Sequence, residues 1–400
     1  MARTLTTRSS APVRMASSVP SMISRIPGSR QEECLPSRAK LYLMSFRQCS
    51  DNLAESCLRN STCRYVTSYM NSLSTGYGGL IMSLTPRERF IKALNREPLE
   101  GRVPHFELVF FLTMEAFGRL HPSQRHYGQW DQMEEKERKL HRNDIADLYI
   151  ATAEHFEQSA IFIHPNPGST EETLRLIDLI REKSGDKYFI MMHGDATYSI
   201  PDGNHMLDFS YRMADDPEGM KAQADAWVNN AIEHSRIYAR HGGLDGYALC
   251  ADYCLNTGPF MSPNQFSEFV APYLAKLIAG YRDLGFYTIK HTDGNIMPII
   301  DQLVQANPHA LHSIDPQAGV DIAEVKRLYG DKVCLIGNVN CGMLDTGTDE
   351  QVEESVRYCL KHGMPGGGYI FSTSNCIYTG MRLSRYEMML DIWRKEGNYH

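Results

Sequence analysis

The chain carries ten cysteines but no Cys-x-x-Cys pair. That absence argues against a zinc ribbon and against a thioredoxin-type redox motif. Scattered single cysteines read better as free thiols in a reducing compartment. Long apolar runs are also missing. The best candidate, Phe106 to Met114, is interrupted by Glu107 and falls short of the ~18 residues a membrane helix needs. A soluble protein with no membrane partner is therefore expected. No GxGxxG and no GxxxxGK[ST] follows a strand-like segment, so a doubly wound nucleotide-binding sheet has no support. Basic charge is scarce: the net charge is −7, and beyond Met82 there are 31 basic against 44 acidic residues. An acidic body argues against nucleic-acid binding.

Acids are in turn scarce at the start. Through Met82 there are ten basic and four acidic residues, and Glu32 is the first acid. The segment is rich in Ser, Thr and Arg and has no sustained apolar periodicity. It fits a mitochondrial transit peptide, or an upstream extension outside the working protein, with translation starting at Met82 and the product cytoplasmic. Immediately afterwards Thr85-Pro86-Arg87-Glu88 reads as a helix start, with a capping Thr, Pro at the first helical position and Glu completing a capping box. We expect residues 1–82 to be a basic, disordered extension and residues 83–400 to be one catalytic domain.

From Thr85 onward, short β-branched or aromatic runs alternate with longer helical patterns. The strand candidates are Arg102–Val109, Ala160–Ile163, Tyr188–Met192, Gly246–Cys250, Tyr287–Lys290, Ala310–Ile314, Val333–Ile336 and Tyr369–Phe371. Helical spacing covers Glu171–Glu182, Pro217–Ala239, Pro263–Leu284, Ile296–Ala306, Ile322–Tyr329 and Asp349–His362. Strands this short and this apolar belong in a parallel sheet buried on both faces. Eight strand–helix units predict an α/β fold, a single (β/α)8 TIM barrel.

Polar residues gather just after these strands: Glu107; His164 and Asn166; His193 and Asp195; Asp252; His291 and Asp293; Asp315; Asn338 and Asn340; Ser374, Asn375 and Cys376. In a barrel all of these ends meet at one mouth, where the active site is built. Any one of them alone could be a helix cap, as Asp315 and Asn340 are expected to be. Eight such strand ends in succession exceed what capping explains.

The second half carries an ordered series: Gly258-Pro259, Ser262-Pro263, Lys290-His291-Thr292-Asp293-Gly294-Asn295, Ile314-Asp315-Pro316, Ile336-Gly337-Asn338-Val339, and Gly366-Gly367-Gly368-Tyr369 running to Asn375. In order and spacing, this resembles the uroporphyrinogen decarboxylase superfamily over nearly all of residues 83–397. That superfamily joins tetrapyrrole decarboxylases to zinc methyltransferases serving corrinoid proteins or thiol cofactors. Where the decarboxylases carry an Arg-rich loop for substrate carboxylates, this chain has Glu107-Leu108-Val109-Phe110-Phe111. Their Asp after the second strand is replaced by His164-Pro165-Asn166, and their late His falls on Asn375. The methyltransferases hold zinc through an HxC and a later Cys. Here His291-Thr292-Asp293 keeps that spacing with an Asp, and Cys376 lies in the eighth-strand loop.

The resemblance therefore implies a methyltransferase with zinc on His291, Asp293 and Cys376. It would act on a small methylated compound and serve a corrinoid protein, and the family suggests a homodimer. The alternative is a decarboxylase of a tetrapyrrole or other carboxylate in porphyrin biosynthesis, with no cofactor; a non-catalytic barrel is a third reading. His291 and Asp293 are metal ligands or substrate contacts on the functional reading, and a packed His with a capping Asp on the bland one. Cys376 is a ligand or an inert buried thiol. Asp252 and Asp315 divide general acid–base work, or cap and pair. Glu107, His164, Asn166, His193, Asp195, Tyr198, Asn338, Asn340 and Asn375 are expected to face the substrate, unless His164 is only a satisfied polar group.

Overall fold

A computed structural model describes residues 84–399. Its first helix, Pro86–Leu94, starts as the sequence dictates: the Thr85 hydroxyl accepts the Glu88 N–H, and Glu88 reaches back to the Thr85 N–H. The reciprocal pair satisfies two donors that a helix start otherwise leaves orphaned. The buried face of this helix, Phe90, Ala93 and Leu94, plugs one end of the barrel. The Phe90 ring lies 5.6 Å from Phe106 and 4.9 Å from Phe189.

The strands are β1 (Gly101–Arg102), β2 (Ala160–Ile163), β3 (Phe189–His193), β4 (Gly246–Leu249), β5 (Cys254–Leu255), β6 (Gly258–Pro259), β7 (Tyr287–Thr292), β8 (Ala310–Ser313), β9 (Cys334–Ile336), β10 (Tyr369–Ile370) and β11 (Asn398–Tyr399). Seven of them form a parallel sheet in the order β2-β3-β4-β7-β8-β9-β10, with helices between successive strands, as in a TIM barrel.

The first barrel strand departs from its expected form. Arg102–Val109 is not a regular strand: Gly101–Arg102 pairs antiparallel with the C-terminal β11. Pro104 has no N–H to give a ladder. The segment still closes the barrel. Phe371 donates to the Pro104 carbonyl at 2.9 Å, Phe106 donates to Phe371 at 3.1 Å, and Ser159 donates to His105 at 2.7 Å on the other side.

Side chains alternate between two apolar layers, as pleating requires. Ala160, Phe162, Phe189, Met191, Ile289, Ala310, Ile336 and Ile370 fill the interior. Ile161, Ile163, Ile190 and Leu311 pack outward with the helices. Proline breaks two helices that periodicity alone joins. The run expected over Pro263–Leu284 is Pro263–Phe269 and Ala271–Asp283, divided at Val270 ahead of Pro272. The Ile296–Ala306 run is a 3₁₀ turn, Met297–Ile299, followed by Ile300–Gln305, with Pro298 inside the turn. In both, a ring without an N–H interrupts the ladder.

After β4 the chain turns into the antiparallel β5–β6 hairpin, which leans on the end of β7. Gly294 has φ +82°, and a Cβ there would meet the Cys254 carbonyl oxygen at 2.4 Å. Only glycine tolerates both that conformation and that approach, which brings the loop carrying Asp252 against Asp293. Among the described residues no helix is long and apolar enough to cross a membrane. The extension expected over residues 1–82 lies outside the described residues.

Candidate active site

Residues on one face of a strand recur every second position, so His291 on β7 and Asp293 just beyond it rise from the same side. His291 Nε2 lies 3.6 Å from Asp293 Oδ1. Asp252 joins them: one ligand atom from each of Asp252, His291 and Asp293 falls within 4.8 Å of the others. The Asp293 N–H donates to Asp252 Oδ1 at 3.0 Å. The Asp293 carboxylate accepts the Ser313 hydroxyl at 2.8 Å and an N–H from Asn375. Burial, followed by the neighbouring charge of Asp252, pushes the Asp293 carboxyl up to about 7. Burial and the Lys290 charge push the His291 imidazole down to about 3, leaving it neutral. The three side chains can hold a divalent cation: neutral imidazole and carboxylates are accepted zinc donors, and a cation would relieve the repulsion between the acids.

Cys376 is not in this group, whose third member is Asp252. Cys376 is half-buried, and burial and Asp293 push its thiol up to about 12. Asn375 is within reach, bonded to Asp293.

Several other candidates have polar atoms engaged by the fold. Asp315 accepts Gln317 N–H at 2.9 Å and Gly294 N–H at 3.2 Å, capping one loop and tying it to another. Asn340 caps the helix Cys341–Thr346. Buried Asn338 donates to the Ile314 carbonyl at 2.7 Å. Both asparagines line a cavity of about 400 Å³ with Tyr358 and Cys359. Asn166 donates to the carbonyls of Pro122 and Arg125. The Tyr198 hydroxyl donates to Met220 at 3.1 Å and meets Gln223 at 2.9 Å. His164 and His193 stand edge to face, 4.9 Å between rings, both against Phe162. His193 is exposed, and His164 Nδ1 is buried without a partner.

Asp195 pairs with a residue not singled out from the sequence. Lys290 is fully buried and donates to Asp195 Oδ2 at 2.8 Å, the Ala251 carbonyl at 2.8 Å and the Leu249 carbonyl at 3.1 Å. Asp195 also accepts from Ala251 N–H at 3.0 Å and Thr197 N–H at 3.0 Å. Burial raises its carboxyl, but the Lys290 charge and these bonds hold it below its ordinary value. His312 was also missed. It is the register partner of His291 across β7 and β8, and the two Nδ1 atoms lie 2.7 Å apart. A legible signal existed: a His near the end of β8 followed by Asp315 beyond it echoes His291 on β7 followed by Asp293, with one residue more between His and Asp.

Glu107 is buried beneath the mouth. Its Oε2 accepts Ser372 Oγ and the Thr373 N–H, each at 3.3 Å, and the Thr373 hydroxyl. Its Oε1 has no partner. Burial pushes its carboxyl up to about 8.

An acid–imidazole cluster at the C-terminal mouth of a (β/α)8 barrel is where this fold places its chemistry. Residues 148–396 match the family model described as Uroporphyrinogen decarboxylase (URO-D). The chain belongs to that family, which is one of enzymes. It is 28% identical over 127 residues to a uroporphyrinogen decarboxylase of Pseudoalteromonas translucida, a match covering 30% of this chain and 34% of that protein. It is 23% identical over 229 residues to a uroporphyrinogen decarboxylase of Vibrio vulnificus, covering 54% and 61%. The chain thus spans less than two thirds of either relative. A solved methyltransferase from Methanosarcina mazei superposes with a TM-score of 0.57 at 20% identity, over 78% of this chain and 99% of that one. At that identity the likeness shows the fold.

Proposed function

We propose that the protein is a zinc-assisted methyltransferase, moving a methyl group between a small methylated compound and a corrinoid protein or thiol. The observation that carries this reading is the group Asp252, His291 and Asp293. Among the described residues, no Arg or Lys pairs with Asp252, Asp293 or Asp315, and Lys290 is engaged by Asp195. A substrate with many carboxylates needs basic groups; a cation or a small neutral compound does not. Asp252, His291 and Asp293 would hold the metal, and zinc there supplies Lewis acidity, activating a thiol or polarising a methylated oxygen.

The chain's own residues prepare that site. His291 stays neutral, with its ring fixed by His312. Ser313 and Asn375 orient the Asp293 carboxylate, and the Asp293 N–H orients Asp252. Residues 83–400 form the catalytic domain on this reading, acting in the cytoplasm on a small molecule, with residues 1–82 outside the working enzyme.

A second reading has its own support. The curated relatives are named decarboxylases, and Asp293, with its carboxyl near 7, suits a general acid that protonates the carbon left by departing CO₂. The two readings part in one assay. The purified full chain is given methylcobalamin with a thiol, and separately uroporphyrinogen. Demethylation of the corrinoid, abolished by His291→Ala, is expected. Release of CO₂ from the tetrapyrrole without corrinoid demethylation would overturn the methyltransferase reading.

A further inference from the structure

The contact between His291 and His312 is unusual for a residue at a metal-type site, whose second ring nitrogen ordinarily donates to a carboxylate, carbonyl or water. Two Nδ1 atoms at 2.7 Å cannot both be bare, nor both carry protons. Both rings are buried, and a single Nδ1–H shared between them satisfies both nitrogens. One ring therefore donates and the other accepts, and what lies beyond His312 decides which.

Beyond His312 stand Ser372 and Glu107. His312 Nε2 is 3.5 Å from Ser372 Oγ, the longest link, and Ser372 Oγ is 3.3 Å from Glu107 Oε2. All three residues are buried. Above pH about 8, where Glu107 is ionised, its carboxylate only accepts hydrogen bonds, so it takes the Ser372 proton. The Ser372 lone pair then takes the His312 Nε2–H, which leaves His312 Nδ1 bare to accept from His291 Nδ1–H. Each step follows from the one before, and the chain runs from the barrel core to its mouth.

We infer that Glu107 is a positioning residue: through Ser372 and His312 it holds the proton of His291 on Nδ1, so that Nε2 meets Asp252 and Asp293 with a free lone pair. The inference rests on the reading of His291 as a metal ligand, because only there does a bare Nε2 matter. Glu107 touches neither His291 nor the acids. Its effect is on the ring tautomer, which a merely structural residue would not set.

The test uses the full chain labelled with ¹⁵N-histidine, free of metal. Resonances are assigned with His291→Gln and His312→Gln, and spectra are recorded above pH about 8, where Glu107 is ionised. In the parent protein His291 is expected to show a protonated Nδ1 and a bare Nε2. Ser372→Ala and Glu107→Gln are expected to shift part of the proton to Nε2, while Ser372→Thr keeps the parent pattern. Zinc affinity, read by competition with a chromophoric chelator, is expected to fall roughly tenfold or more in the first two variants, the usual effect of losing an outer-shell partner. A His291 tautomer unchanged in folded Ser372→Ala and Glu107→Gln would overturn the inference. A tautomer that shifts as stated in a protein that binds no zinc would support the chain and sink only the metal reading.

Discussion

Two buried polar systems share this barrel, and they differ in how completely they are satisfied. Lys290 has three N–H donors and three acceptors in place: Asp195, Leu249 and Ala251. Asp195 is in turn met by Thr197 and Ala251. This pair stitches β7 to the loops after β3 and β4, and nothing is left over for a ligand. Glu107 is equally buried, but one of its oxygens has no partner, and its chain ends at His291 Nε2, which faces two acids. The first system closes on itself, whereas the second runs on to the mouth.

The sharpest way to break this contrast is Lys290→Met. It strands a buried carboxylate, and the expected loss is about 3–5 kcal/mol, read from urea unfolding. A loss too small to measure would mean that the pair is not structural. The Asp195 contribution also has a sign in pH. Its carboxyl is held below the ordinary value in the fold, so the stability it confers is present at neutral pH and is lost as pH falls through that depressed value.

Glu107 has the opposite sign. Its carboxyl rises from 4.5 to about 8 on folding. Between those values the folded state keeps a proton that the unfolded state has released, so stability falls with rising pH, by at most about 1.4 kcal/mol per unit. Glu107→Gln should remove that slope, which paired unfolding curves at pH 6 and pH 8 would show. Parallel pH dependences in the parent and the variant would contradict the placement of Glu107 in the core.

At the mouth, a cation must displace the proton on Asp293. With that carboxyl near 7 and His291 near 3, zinc affinity should climb about tenfold per pH unit below 7 and level off above it. Asp293→Asn should abolish the climb. The smallest expected effect is that of Asn340→Ala, which removes a helix cap at a cost of about 1 kcal/mol and leaves zinc affinity unchanged. A fall in affinity there would move Asn340 from scaffold to site.

Much of this was legible from residues alone. The alternation of apolar strands and amphipathic helices predicts the barrel, because each side-chain period has one packing solution. His291 and Asp293 stand out because a polar pair at spacing two on a buried strand must share a face. Three things were not legible. Cys376 lies in the eighth-strand loop, but sequence distance does not say where a thiol points, and it is Asp252, from a different loop, that is grouped with His291 and Asp293. Residues 102–109 read as a strand by composition, but Pro104 reduces the segment to single bridges. His312 carried a signal in its sequence that went unread, whereas Lys290 reads as an ordinary strand residue; the register between β7 and β8 and the fold-back of the β3 loop reveal their partners.

The central claim is that Asp252, His291 and Asp293 form a zinc site. Its most direct test is the metal content, by mass spectrometry, of the full chain purified without chelators, beside His291→Ala and Cys376→Ala. About one zinc per chain in the parent and in Cys376→Ala, and background levels in His291→Ala, is the predicted result. Active parent protein without zinc, or zinc that survives in His291→Ala, would contradict it.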